Sequence, residues 1–393
     1  MLNFHEKYSS KFKPWLISLS TGLYVLYMFL VMAMPNSLNI AFVAYDHLSP
    51  ETLNQLSSLF FWANFLFLLP VGVLVDRFST RKMLLLGFAI MVLGMFIFSL
   101  STDFICLFIG RFLMGVGGAF SFIVALRMSA QWLKVENLGL ITGILTALGF
   151  IGGAFAQLPL QWSLSFMGLS KTLWALTFFG VLIWVYFFFV EHDNDWKKTK
   201  TYSMEGVKLA LLKPSNYLVG IYAGLLSQPI FILGGLLGIS FLKNNYHFSL
   251  IDAGLATSLI FIGGIVGTPL IGLISDKFKR PKLLMIIGSL LTLLTLISAV
   301  MLSSKLSLFL AFFFLGITTS TQALSYPIVY AQNPHNAQGT ASSIISLCAM
   351  GITGIVELFI THLALMPTLL ILVGSTFILS LIIYFFSHKT YMS

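Results

Sequence analysis

The stretch Gly72-Val-Leu-Val-Asp76-Arg77-Phe-Ser-Thr-Arg81-Lys82 connects two long apolar segments. A related stretch, Gly272-Leu-Ile-Ser-Asp276-Lys277-Phe-Lys-Arg280-Pro-Lys282, connects two more. The two glycines are 200 positions apart, and so are the two aspartates. This repeat is far longer than a solenoid unit, so it predicts two related halves, each built from several membrane helices.

The composition indicates that most of the surface faces lipid. Hydrophobic residues make up 58% of the chain and charged residues 9%, and the mean hydropathy is +0.95. Soluble domains carry about 25% charged residues. The long segments are apolar on all faces, whereas membrane barrels alternate polar and apolar residues. We therefore predict an all-α membrane protein.

We predict twelve spans of about 20 or more residues, the length that crosses the hydrocarbon core. The predicted fold is two six-helix bundles, residues 1–190 and 215–393, joined by a polar linker at 191–214. The predicted spans are 15–43, 51–75, 83–101, 104–132, 138–161, 171–190, 215–242, 250–275, 283–303, 306–331, 339–364 and 367–387.

The distribution of lysine and arginine predicts the sidedness. The termini, the even-numbered loops and the linker carry 17 of the 22, and the opposite loops carry only Lys171, Lys243 and Lys305. Positive residues concentrate in cytoplasmic loops. We therefore expect both termini in the cytoplasm, in a bacterial inner membrane. The net charge of +9 reflects this bias and gives no reason to expect nucleic acid as a partner.

No chemistry-bearing motif of an enzyme occurs in the sequence. There is no ATP-binding motif, zinc-ligand cluster or nucleophile–base arrangement, and Cys106 and Cys348 fall within predicted spans, where we expect no disulfide. We expect no enzymatic activity, no cofactor and no metal, and we expect a monomer. The expected partners are the bilayer, a small-molecule substrate and protons.

The paired loops resemble a loop motif of the major facilitator superfamily, and span count, two halves and sidedness agree with this resemblance along the whole chain. The resemblance implies a rocking transporter whose conformation the loops help to hold. Asp76 at a helix end can accept hydrogen bonds from a neighbouring helix N-terminus. The alternative is plain anchoring by positive charge. The predicted gating residues are Gly72, Asp76, Arg77, Arg81, Gly272, Asp276 and Lys277.

Two arginines lie inside the fourth span. Arg111, within Gly110-Arg111-Phe-Leu-Met-Gly115, resembles a second superfamily motif, which implies proton coupling or the fixing of helix positions. The alternative is that it snorkels to the outer surface. Arg127 is 16 residues further on and points about 160° away, so the two cannot serve one small site.

Arg127 shares a helix face with Gln131. In this superfamily the first, fourth, seventh and tenth spans line the cavity, which makes Arg127 a candidate for binding a substrate carboxylate. The alternative is an arginine that snorkels to the headgroups beside Trp132. Both interpretations stay open at this point.

Glu357 is the acid placed deepest in any predicted span. An unpaired carboxylate there is very costly, so we expect a neutral form or a cationic partner, as in a proton carrier. The alternative is a structural hydrogen bond.

Polar side chains on the predicted cavity spans suggest a solute site, although each alone can be a helix-packing hydrogen bond. Breaks at Pro35 and Pro229, in corresponding spans, mark the usual place for such a site. The predicted substrate-binding residues are Tyr24, Tyr27, Asn36, Arg127, Gln131, Gln228, Gln322, Tyr326 and Tyr330.

These residues predict a transporter that takes up a small solute by proton-coupled alternating access. One candidate cation and one candidate acid favour an amino acid or similar zwitterion. The fifth span lacks the Gly-Pro pair associated with exporters, since Phe150 and Ile151 separate its glycines. The alternatives are an exporter of a metabolite, siderophore or drug, and a non-transporting sensor with a transporter fold.

Overall fold

The computed structural model describes residues 2–38, 42, 49–133, 137–190, 204–301, 304–360 and 364–388. This part of the chain forms helices and no strands. The helices of the first half are α1 (Leu2–Ala33), α2 (Pro50–Arg77), α3 (Thr80–Leu100), α4 (Phe104–Trp132), α5 (Leu138–Phe155), α6 (Leu158–Met167) and α7 (Leu169–Val190).

The second half begins with α8 (Met204–Leu212), α9 (Pro214–Leu226), a π-helix (Pro229–Leu236) and α10 (Gly238–Tyr246). It continues with α11 (Leu250–Phe278), α12 (Pro281–Met301), α13 (Lys305–Thr319), a 3₁₀ turn (Ser320–Leu324), α14 (Ser325–Gln332), a 3₁₀ turn (His335–Ala337), α15 (Gln338–Ile360) and α16 (Leu365–His388).

Twelve segments of the described chain are long and apolar enough to cross a membrane, and they match the predicted spans in number and order. Polar side chains start many of the helices by accepting a backbone N–H of the first turn, which otherwise has no partner. Such caps are Ser49, Ser79, Asp103, Ser249 and Ser304.

Each half is a bundle, as predicted. In the first half, α1 packs against α4 and α5, and α3 packs against α4 and α7. In the second half, α11 packs against α13, α9 against α15, and α12 against α16. Two seams join the halves, one between α2 and α15 and the other between α5 and α11. We call the side of the membrane that carries Asp76 and Asp276 the motif side.

Helix breaks occur where the sequence predicts them and at one further place. The first helix ends at Ala33, before Pro35, and α9 ends at Leu226, before the π-helix that starts at Pro229. The fifth span, predicted as continuous, is interrupted after Phe155, and α6 restarts it at Leu158. Proline at 159 fits the first turn of α6, where no N–H is needed.

The predicted linker at 191–214 is partly helical. Residues 191–203 lie outside the described chain, and 204–212 form α8. Val207 and Ala210 of α8 are buried. This stretch of the linker is therefore an ordered helix that packs on the second bundle, because its small and apolar residues recur on one face.

Tight helix contacts predict which glycines are essential. A Cβ at Gly263 of α11 would overlap the carbonyl of Phe313 in α13, whereas a Cβ at Gly374 would meet no atom within 4 Å. We expect Gly263→Ala to lower the Tm of the purified protein by about 3 °C or more, because backbone must shift. Gly374→Ala, the matched control, should hold or raise the Tm, since alanine favours helix. Equal Tm values for the two variants would contradict this packing.

Candidate functional site

A cavity of about 70 Å³ lies between the two halves, lined by side chains from both. At about 10–15 Å³ per water by this measure, it holds a few waters or one small solute. No described lining residue carries a charge. Its polar lining residues are Asn64, Ser121, Thr146, Ser227, Gln322, Tyr326 and Ser346; the apolar ones include Met28, Phe29, Leu68, Phe122, Ile123 and Phe231.

Two carboxamides reach this cavity from opposite halves. Asn64 of α2 is 2% exposed and makes no hydrogen bond within the described chain. Gln322, in the 3₁₀ turn before α14, accepts a hydrogen bond from Ser227 through its Oε1 and lines the cavity. Buried amides normally have partners, so these are the groups with capacity to bind a solute.

Tyr326 forms the contact between halves at the cavity wall. Its hydroxyl lies 2.9 Å from that of Ser346, and its ring centroid lies 4.4 Å from that of Phe122 in α4. Of the nine predicted substrate-binding residues, only Gln322 and Tyr326 line the cavity.

Tyr24 and Tyr27 serve helix packing instead. The Tyr24 hydroxyl donates to the carbonyl of Gly117 at 2.6 Å, and the Tyr27 hydroxyl donates to that of Leu176 at 3.1 Å. Both side chains are fully buried within the first bundle. The sequence counted them as cavity groups because it cannot show which helix face turns inward.

Asn36 and Gln228 are also engaged by protein groups. Asn36 donates to Gln157 Oε1 at 2.6 Å and to the carbonyl of Gly234 at 3.4 Å, so it links the halves on the side opposite the motif side. Gln228 donates to the carbonyl of Gly224 at 2.6 Å and to Thr353 Oγ1 at 3.2 Å. Neither lines the cavity formed by the described residues.

Gln131 and Tyr330 lie near the motif side. Gln131 donates to Thr80 Oγ1 at 2.7 Å, and the Tyr330 phenol lies beside Arg127. The sequence placed Tyr330 on one face with Gln322 and Tyr326, but it lies about 12 Å further along a helix axis than Gln322. The 3₁₀ turn also changes the angular spacing of the three.

Asp76 binds the start of α15 across the first seam. Its carboxylate accepts the N–H of Gly339 at 2.9 Å, the N–H of Thr340 at 2.8 Å and the Thr340 hydroxyl at 2.8 Å. A helix N-terminus favours an anion, and its first N–H groups have no helical partners. One side chain of the first half therefore caps a helix of the second.

Arg127 completes this cluster. Its Nη1 lies 3.3 Å from Asp76 Oδ1, and its side chain is 10% exposed. The two sequence interpretations placed the Arg127 guanidinium at the cavity or at the headgroups. The structure places it at neither, since it pairs with Asp76. An acid in reach explains the difference, because a buried charge is stabilised far more by a partner than by a remote solute site.

Asp276 repeats the arrangement at the second seam. Its Oδ2 accepts the N–H of Leu140 at 2.8 Å, and its carboxylate also accepts the N–H of Gly139, at the start of α5. Gly139 and Gly339 are 200 positions apart, the same offset as Asp76 and Asp276. Both partners of the contact therefore recur in each half. We call the two contacts the first and second latch.

Glycine permits both latches. A Cβ at Gly72 would lie 2.5 Å from Ser343 Oγ, and a Cβ at Gly272 would overlap the carbonyl of Gly139. The helices of each seam therefore approach too closely for any side chain at these positions.

The basic residues of the loops lie around these latches. Arg81 Nη2 donates to the carbonyl of Phe188 at 2.8 Å, so it binds the end of α7 in its own half. Arg77 and Lys277 lie 5.4 Å and 6.0 Å from the ring centroids of the phenylalanines that follow them.

Arg111 is 1% exposed and fastens three helices. Its Nε donates to the carbonyl of Leu56 at 3.2 Å, its Nη1 donates to that of Val31 at 2.8 Å, and the guanidinium lies 5.0 Å from the Phe60 ring centroid. Such burial excludes snorkelling and fits a role in fixing helix positions. The backbone of Glu357 is helical in α15, but its side chain lies outside the described part.

Sequence reasoning missed Asn64, Gly139, Gly339 and Thr340. The 200-residue offset is a signal that would have found the two glycines. Asn64 is the one carboxamide in the apolar run 59–75. An isolated polar residue deep in an apolar span is the same signal that singled out Glu357.

Comparison with known proteins agrees with this architecture. The family model described as Major Facilitator Superfamily matches residues 17–356 and 219–392.

The chain is similar to several curated transporters. It is 34% identical over 151 residues to the nitrate/nitrite transporter NrtP of Nostoc punctiforme, covering 36% of this chain and 29% of that protein. It is 24% identical to the nitrite extrusion protein of Bacillus subtilis, covering 67% and 66%. It is 23% identical to the lysosomal dipeptide transporter MFSD1 of Danio rerio, covering 75% and 68%. The matches span less than two thirds of the first two relatives.

Proposed function

The chain belongs to the Major Facilitator Superfamily, and we propose that it moves a small polar solute across a membrane by alternating access. The observation that carries this proposal is the cavity between the halves, lined by a carboxamide from each: Asn64 from the first and Gln322 from the second. A solute that bonds to Asn64 and Gln322 at once would link the two bundles. Its binding would then favour states in which both halves reach it.

The solute in this proposal carries no net charge. No described lining residue is charged, and burying an ion without a partner costs much free energy. The prediction of an amino-acid substrate from the sequence depended on Arg127 as the partner of the substrate carboxylate. In the structure Arg127 forms an ion pair with Asp76 instead. A small zwitterion is therefore one member of a wider class that hydroxyl and amide groups can bind.

A second candidate is a small inorganic anion. The names of two relatives, a nitrate/nitrite transporter and a nitrite extrusion protein, favour it, as does the small cavity volume. Thermal-shift measurements followed by counterflow in proteoliposomes separate the two candidates, with nitrate, nitrite, L-alanine and D-arabinose as probes. Stabilisation and exchange with the anions alone would favour the second candidate and overturn the first.

We also propose that the latches hold the state closed on the motif side, and that this side is cytoplasmic in a cell inner membrane. Both termini would then be cytoplasmic, as the positive residues indicate. Proton-coupled uptake through Glu357, with Arg111 fixing nearby helices, remains part of the proposal on sequence grounds.

Opening at the first seam can be followed with a cysteine at Ser343, which packs against Gly72 there, in a protein lacking Cys106 and Cys348. We expect Asp76→Asn to speed its labelling about ten-fold or more, because hydrogen bonds to a charge contribute about 1.5–3 kcal/mol. Asp276→Asn should have a smaller effect, since the second latch lacks a hydroxyl and an ion pair among the described residues. Unchanged labelling in both variants would mean that the loops merely anchor topology.

The cavity assignment predicts the effect of removing one carboxamide. Asn64→Leu keeps similar volume but loses the hydrogen bond, so it should raise the half-saturation concentration for the probe that exchanges by about 3–10-fold. Gln228→Leu, a control whose carboxamide bonds within the second half, should lower the Tm and leave that concentration unchanged. An unaltered half-saturation concentration in Asn64→Leu would remove this residue from the binding site.

A further inference from the structure

We infer that α8 is a membrane-interface helix, which docks Leu209 and Leu212 into the headgroup region of the bilayer on the motif side. The inference concerns a surface outside the cavity and does not depend on what the protein transports.

One face of α8 is pinned to the second bundle. Val207 is 4% exposed and Ala210 is fully buried. Asn216 of α9 donates to the carbonyl of Ala210 at 2.8 Å, and Lys213 Nζ donates to the carbonyl of Gln332 at 2.6 Å. These contacts fix the rotation of the helix about its axis, and so they decide what its other face presents.

The other face is exposed and carries two leucines beside two charged residues. Leu209 is 58% exposed and Leu212 is 67% exposed, and residues three apart are neighbours on a helix surface. Glu205 and Lys208 are exposed beside them. Exposing two adjacent leucines of a nine-residue helix to water is unfavourable. We therefore expect an apolar environment to cover these two side chains.

The neighbouring span indicates that the bilayer covers these leucines. The Tyr217 hydroxyl donates to the carbonyl of Leu211 at 2.8 Å, and Tyr217 itself is 37% exposed on α9. Ile221, one turn deeper, is 38% exposed on the same lipid-facing side. The exposed leucines thus continue the surface of a membrane span. Tyrosine concentrates at the depth where hydrocarbon meets headgroups, which gives the depth of α8.

α8 contacts the short segment that leads into the first latch, between Asn336 and Thr340. A Cβ at Gly206 would lie 2.8 Å from Asn336 Oδ1, and Gly339 and Thr340, which bind Asp76, follow three and four residues later. The bilayer therefore supports the segment that presents the start of α15.

Depth measurement by spin labelling tests the docking. Single nitroxides at Leu209→Cys and Leu212→Cys would be placed on the full chain lacking Cys106 and Cys348, in phosphatidylcholine–phosphatidylglycerol nanodiscs. Both should relax more with oxygen than with a water-soluble nickel chelate, as should a reference label at Leu66, an exposed residue of α2. A label at Lys279, which is exposed in the loop after α11, should show the reverse. Nickel accessibility at either leucine position equal to that at Lys279 would overturn the inference.

A second measurement does not use labels. In the same nanodiscs, the double variant Leu209→Gln with Leu212→Gln should exchange the amide hydrogens of 204–212 faster by about ten-fold or more, because the helix loses its apolar anchor. The control Leu306→Gln, on an exposed leucine of α13 outside this surface, should leave that exchange unchanged. Equal exchange in the double variant and the parent protein would also overturn the inference.

Discussion

A carboxylate bound to a helix N-terminus across a seam is the contact on which this architecture depends. Asp76 accepts two N–H groups and a hydroxyl at the start of α15, and Asp276 accepts N–H groups at the start of α5. The first N–H groups of a helix have no helical partners and favour an anion, so each partner strongly favours the other. The close approach that the contact requires explains why Gly72 and Gly272 carry no side chain.

The latches separate two kinds of polar group. The charged groups of the latches lie near the motif side and have protein partners, as in the 3.3 Å pair of Arg127 and Asp76. The polar groups around the cavity are neutral, and the Asn64 carboxamide makes no hydrogen bond within the described chain. This division leaves the centre of the protein with hydrogen-bonding groups and no fixed charge among the described lining residues. A solute can enter such a site without disrupting the ion pair between Arg127 and Asp76, whose carboxylate binds the second half at the first latch.

Sequence reasoning reached the fold because hydrophobic length and a 200-residue repeat are properties of the chain itself. Its predicted gating residues include Asp76 and Asp276, which bind helix starts across the seams, and its predicted binding residues include Gln322 and Tyr326, which line the cavity. It could not assign Arg127, Tyr24 or Tyr27, since in helices buried on nearly all sides periodicity does not show which neighbour a polar group meets. Tyr330 lies one helical turn beyond Tyr326 on α14, nearer the motif side, where its phenol lies beside Arg127 rather than at the cavity.

The aspartates and the glycines of the two latches are separated by the same 200 positions, which suggests that the two halves arose by duplication. Each half contains an aspartate at the end of its second span and, at its fifth, a helix with glycine as its second residue, so each holds both parts of the contact. Two copies of one such half, related by a two-fold axis, would satisfy each other's aspartates through one self-complementary surface. The two seams are what a symmetric dimer of half-length chains would have formed before fusion. The ion pair at one seam is then a later divergence between copies that began alike.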